Sequence, residues 1–197
     1  MTVRSVARIA LPLALLTTVA GCGVNTIPTK EETAKTSWAN VESAYQRRAD
    51  LIPNLVSTVK GYAKFEQDTL VEVTNARARA TSITVDPTKL SDPAAVGQFE
   101  QAQGALSQSL GRLLVSVEKY PDLKANEQFT QLTAEIAGTE NRINIARRDY
   151  NEAVRDYNTE IRTFPSVIGA KVIYGAKPLQ PFKATSAGAA NAPTVAF

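Results

Sequence analysis

The sequence predicts an all-α protein: an antiparallel bundle of long helices with coiled-coil-like packing. Three observations carry that expectation. Apolar residues recur in steps of three and four over long stretches. The last stretch keeps a seven-residue repeat between Phe129 and Phe164. Proline-bearing breaks at Asp86-Pro87, Asp92-Pro93, Pro121 and Pro165 separate the stretches.

The first helix should open at Thr29-Lys30-Glu31-Glu32, which reads as a capping box. Its apolar stripe is Trp38, Val41, Tyr45, Ile52, Leu55, Val59, Tyr62, Leu70, Val73, Ala76 and Ala80. Pro53 falls inside the stripe and lacks an amide donor, so a kink is expected there. No Gly or Asn turn accompanies it, and the helix should continue without a reversal.

Residues 82–93 form a loop, and Asp92 with Pro93 should start the second helix. Its stripe is Val96, Phe99, Leu106, Leu110, Leu113, Val117 and Tyr120, ended by Pro121. The third helix should bury Phe129, Leu132, Ile136, Ile143, Ala146, Tyr150, Ala153, Tyr157, Ile161 and Phe164, and end at Pro165. The first and third helices outlast the second, which leaves part of that pair uncovered. A short helix over 166–174 offers Val167, Ile168, Val172 and Ile173 as the cover. The bundle thus spans residues 30–174. From 175 to 197, Pro, Ala, Ser and Gly dominate, and a mobile tail is expected.

The N-terminus reads differently. Arg4 and Arg8 precede an apolar run of about twelve residues, Ile9 to Ala20, the length of a signal-peptide core and short for a bilayer span. It closes on Val19-Ala20-Gly21-Cys22, which resembles the bacterial lipobox. Residues 1–21 are then a lipoprotein signal peptide, Cys22 is the lipidated residue, and 22–29 is a tether. A secreted protein with an incidental thiol, or an uncleaved anchor, are the alternatives. Lipidation alone of these accounts for the position of the one cysteine and consumes a thiol that would be a liability in an oxidising compartment.

Composition excludes much familiar chemistry. The 197 residues hold no His and one Cys, so His-based catalysis, an internal disulfide and paired-thiolate zinc sites are all absent. Lys+Arg 22 against Asp+Glu 19 gives +3, and loss of Arg4 and Arg8 with the leader leaves about +1. Nothing in that balance draws nucleic acid. There is no phosphate-binding glycine loop and no nucleophile elbow. No cofactor, metal ligand or catalytic residue is assigned, and the chain reads as a non-enzyme.

Three stretches carry a resemblance: RRADLIPNLVSTVKGYAKFE at 47–66, GRLLVSVEKYPDLKANEQF at 111–129, and TENRINIARRDYNEAVRDYNTEIRTFPS at 139–166. In that order they look like the LemA family of bacterial envelope proteins, over residues 35 to 183 or so. The resemblance implies a helical antiparallel bundle, no established enzymatic activity and an undefined role at the membrane. It also hints at a TPM-domain membrane protein as partner, from gene neighbourhood. Family members more often begin with a transmembrane helix, so the lipobox is a departure.

Several residues invite a functional reading. Tyr150-Asn151 recurs one heptad later as Tyr157-Asn158, with Asn141 and Asn144 upstream. This is either a polar groove for an extended partner, or tyrosines in the core with asparagines pinning register. Arg47, Arg48 and Asp50 lie beside Pro53-Asn54, where they form a site or satisfy carbonyls that the proline frees. Glu135 and Glu140 lack the histidines of a di-iron bundle. The C-terminal Val195-Ala196-Phe197 is either a frayed end or a peptide for a PDZ-type domain, with Phe197 and its carboxylate as the recognised group.

The leading reading is therefore a lipid-anchored, non-enzymatic interaction or scaffold module of the bacterial envelope. It faces the periplasm in a diderm, with the outer membrane favoured because Gly23 rather than Asp follows Cys22. One rival is a lipid-sensing or bilayer-remodelling protein; the alternating charges of Arg147-Arg148-Asp149 and Glu152 read as a solvated face and disfavour it. The other is a periplasmic carboxylate-dependent enzyme.

Overall fold

The computed structural model describes residues 25–61 and 66–183, all helix, turn or irregular chain with no strand among them. Cys22, Tyr62, Phe197 and the leader lie outside the described residues. Helix α1 spans Thr26–Lys60 and α2 Gln67–Ser82. Then come a single 3₁₀ turn at Pro87–Lys89, α3 at Pro93–Val117 and one turn, α4, at Pro121–Lys124. Helix α5 spans Glu127–Glu160, and α6, Ser166–Gly169, widens into a π turn over Ala170–Tyr174.

The first expected helix is two. It runs unbroken through Pro53 to Lys60, and the chain then doubles back as α2. Arg77 reaches Ala49, and the Val85 amide meets Glu42, so α1 and α2 are antiparallel. Helix α3 reverses again, with Lys119 3.7 Å from Glu66 and the Gln103 amide on the Ala80 carbonyl. Helix α5 runs against α1 along its whole length, from Arg48–Glu140 to Lys30–Glu160. The bundle is up-down-up-down. Periodicity missed the reversal because both limbs bury their stripe in one core; Leu70, Val73, Ala76 and Ala80 are buried as expected.

Start signals behaved unevenly. Asp92 caps α3 through its Oδ1 and the Ala94 amide, with Pro93 in the first turn, as the sequence predicts. Asn126 caps α5 in the same way through the Phe129 amide. The Thr29 capping box does not form. Helix α1 already starts at Thr26, and the Thr29 hydroxyl donates to the Asn25 carbonyl. Pro28 is tolerated because first-turn amides need no helical partner. Buried Ile27 holds that turn on the core.

The core has two apolar clusters. One, at the end where α1 begins, contains Trp38, Phe99, Tyr150, Tyr157, Leu179 and Phe182. The other contains Leu55, Leu70, Leu106, Leu113, Phe129 and Leu132. At the first end α1 and α5 do outlast their neighbours, but the expected cover is wrong. Ile168, Val172 and Ile173 stand exposed and Val167 is half-buried. Leu179 and Phe182 do the covering, from a segment expected to be mobile. Helix α5 also stops at Glu160, ahead of Pro165, and Phe164 is exposed rather than on the seam.

Candidate functional site

The Tyr-Asn repeat of α5 holds an extended strap of the chain's own C-terminal region, residues 176–183. The Asn158 side chain accepts from the Leu179 amide and donates to the Leu179 carbonyl, both at 2.9 Å. Asn151 makes the same pair with Phe182, at 2.8 and 3.2 Å. A heptad of helix advances about 10.5 Å. Three extended residues advance about 10 Å, so the two asparagines fall in step with residues 179 and 182. Pro178 and Pro181 favour the extended backbone and have no amide to leave unpaired.

Further strap groups are met as well. The Tyr150 hydroxyl donates to the Gln180 carbonyl at 2.9 Å, and the Gln180 amide donates to the Leu90 carbonyl. The Lys183 amide donates to Glu100, and Arg147 donates to the Lys183 carbonyl, each at 2.9 Å. Burial, with Glu100 nearby, pushes the Tyr150 hydroxyl well above its ordinary pKa, so it stays a donor. The hydrogen bonds to the strap thus go mostly to its backbone.

Its one aromatic anchor is Phe182. The ring stacks on Trp38 at 5.4 Å, meets Tyr150 edge-on at 5.5 Å, and lies under the Arg147 guanidinium at 4.8 Å. Arg147 is therefore not on a solvated face, unlike exposed Arg148, Asp149 and Glu152. The repeat meets a segment of its own chain rather than a partner. The tyrosines are core, and the groove does hold an extended peptide. The asparagines pin that strap, not helix register, and Asn141 and Asn144 are exposed and take no part in the clamp.

Between the two apolar clusters sits Arg48, 2% exposed. It donates to Ser107 at 2.8 Å, Glu140 at 3.0 Å and Gln103 at 3.1 Å, and lies 5.1 Å from the Tyr45 ring. Burial pulls its pKa down while Glu140 opposes. A cavity of about 240 Å³ adjoins it, lined also by Glu100 and Arg147. Arg47, Asp50, Asn54 and Glu135 are exposed and form no site. Among the described residues no group of three or more acidic or thiol side chains is placed to hold a metal ion.

Sequence reasoning missed the strap. The available signal was Pro-Leu-Gln-Pro-Phe, two prolines three apart, each followed by a large apolar residue. It missed Gln103 as well, which no periodicity marks as a core ligand of Arg48.

Comparison with known proteins identifies relatives of the chain. The chain matches the model of the LemA family over residues 37–197. It is 32% identical over 111 residues to Protein LemA of Metamycoplasma hominis, covering 56% of this chain and 47% of that protein. It is 27% identical over 145 residues to Magnetosome protein MamQ 2 of Paramagnetospirillum magneticum, covering 66% and 53%. Magnetosome protein MamQ of Magnetospirillum gryphiswaldense is 25% identical over 143 residues, covering 64% and 53%. The chain spans about half the length of the curated relatives it matches. No helix among the described residues is long and apolar enough to cross a membrane.

Proposed function

The chain belongs to the LemA family, and from that membership and the strap we propose that it is a lipid-anchored, non-enzymatic scaffold of the bacterial envelope. Cys22 carries the anchor, the bundle stands on it, and the C-terminal residues are offered to a protein partner. The observation that supports this most is the clamp. Tyr150, Asn151, Asn158 and Arg147 are buried or half-buried polar groups of the kind an enzyme would turn toward substrate. Here they are committed to the chain's own backbone. The strap runs opposite to α5, from Asn158 to Arg147, and carries the chain about 16 Å away from the end where α1 begins. A PDZ-type domain is the partner chemistry we favour, and a TPM-domain membrane protein is the candidate class. Gly23 after Cys22 favours the outer membrane in a diderm.

Two measurements test the reading. Labelled palmitate should mark the wild type and not Cys22→Ser, because a hydroxyl cannot form the thioether; equal labelling ends the anchor. Pull-downs from envelope extract with the tail peptide should lose their partner when Phe197 is amidated or replaced by Asp. Recovery of the same proteins by all three peptides would show that the terminus is not a signal.

A further inference from the structure

The segment after α5 is folded inside out. Its small residues Ser166, Gly169 and Ala170 are buried against the bundle, while its large apolar ones face outward. Phe164, Ile168, Val172, Ile173 and Tyr174 are between 43% and 79% exposed. Other exposed large apolar residues, such as Val71, Val115 and Ile145, lie apart on separate helices. A soluble surface does not ordinarily group five such side chains within eleven positions.

The charge of the same stretch is one-sided. Between Ile161 and Lys183 the sequence has Arg162, Lys171, Lys177 and Lys183 and no Asp or Glu, and all four cations are exposed. Of the acids that touch this stretch, Glu160 is engaged by Lys30 and Ser166 and Glu100 accepts from the Lys183 amide. The long helices alternate their charges; this edge does not.

Its place is the third observation. Glu160 bonds both Lys30 and Ser166, and Ile27 shares a buried cluster with Ala170. The apolar edge is therefore at the end of the bundle where α1 begins, and the chain leaves the described structure there at Asn25, three residues after Cys22. Gly175, with φ +55, turns the strap back toward the bundle and leaves Tyr174 at the tip.

We propose that the Phe164–Tyr174 edge inserts into the headgroup region of an anionic bilayer, beside the lipid anchor. Orientation relative to the membrane rests on the anchored reading above. Ile168 and Val172, four apart, enter the acyl boundary, and Lys171 and Lys177 meet lipid phosphates, as interfacial amphipathic segments do. The bundle then has two fixed points on the membrane and stands in one orientation.

The test uses the full-length lipidated chain in phosphatidylcholine vesicles, with or without phosphatidylglycerol, doped with a photoactivatable phospholipid. After trypsin, the peptides 163–171 and 172–183 should carry at least about fivefold more lipid label than 113–119, which holds exposed Val115 at the far end. Ile168→Asp with Val172→Asp should bring that label down to the 113–119 level without changing the melting temperature. Phosphatidylglycerol should raise the label, and Lys171→Glu with Lys177→Glu, read on the single tryptic peptide 163–183, should abolish the rise. Even labelling of all three peptides, label that survives the double Asp variant, or chain-to-chain crosslinks at 163–174 in place of lipid would overturn the proposal. Palmitate at Cys22 is read in the same preparation. Photolabel on chains without palmitate upholds the edge and ends the anchor, whereas palmitoylated chains without photolabel end the edge alone.

Discussion

Arg77 Nε donates to the Ala49 carbonyl at 2.7 Å, across from α2 to α1. In a regular helix that carbonyl would accept from residue 53, which here is proline. A neighbouring helix thus repairs the defect, and α1 passes through Pro53 without a break. The nearby Arg47 and Asn54 are exposed and are not the repair.

This pairing predicts a non-additive double-mutant cycle. Arg77→Met should cost about 1.5–3 kcal/mol, because it orphans a carbonyl and removes a charged donor. In a Pro53→Ala background the new amide serves Ala49, and the same change should cost under about 1 kcal/mol. Urea melts of the four proteins measure the coupling. Equal costs in both backgrounds would mean the repair has no energetic weight.

The strap should open when either asparagine loses its donor. In Asn158→Asp the carboxylate still accepts from the Leu179 amide but faces the Leu179 carbonyl with no proton. Closure should weaken by about 1–3 kcal/mol. Hydrogen exchange at the Leu179 and Gln180 amides should quicken accordingly, with the amides of α1 unchanged. Asn144→Asp, at an exposed position, is the control and should alter neither.

Ile143 is 1% exposed inside the first apolar cluster. Ile143→Asp should destabilise by about 3–5 kcal/mol through a buried, unpaired carboxylate. Arg148→Asp, on the solvated side, should cost under about 1 kcal/mol. Arg147→Asp should fall between them, since it removes the cover over Phe182. Thermal melts that rank Arg147 with Arg148 would deny that contact its role.

Acid should loosen the end where α1 begins first. The Ser166 hydroxyl, and secondarily Lys30, hold the Glu160 carboxyl below its ordinary pKa. A depressed folded pKa contributes stability above the unfolded value and loses it as pH falls through the folded one. Amide exchange at Val167 and Ile168 should therefore accelerate, relative to α3, as the pH drops through and below the ordinary carboxylate range. Glu160→Gln should remove that pH dependence. If it does not, another group governs the acid response.

Much of the candidate site was legible, though its meaning was not. The spacing of Tyr150-Asn151 and Tyr157-Asn158 marks a face that can meet an extended chain, and both asparagines do so. Nothing in that spacing says the chain comes from 21 and 31 residues downstream. The composition of 175–183 reads as tail because it is judged without the groove that satisfies its backbone. Arg147 likewise reads as one of an alternating charge series until Phe182 arrives beneath it.

By itself the sequence determined the helical class, most of the buried stripe positions, the Asp92-Pro93 start and the family resemblance. These are local properties, written in periodicity and in the amide that proline lacks. Tertiary structure alone decided that the first stripe folds back after Lys60, because a helix face and its reversed continuation bury the same residue types. It also decided which arginine serves Ala49, which asparagines hold Leu179 and Phe182, and that Ile168 and Val172 face outward. Each depends on what a second element brings into contact, and periodicity along one element carries no record of its neighbour.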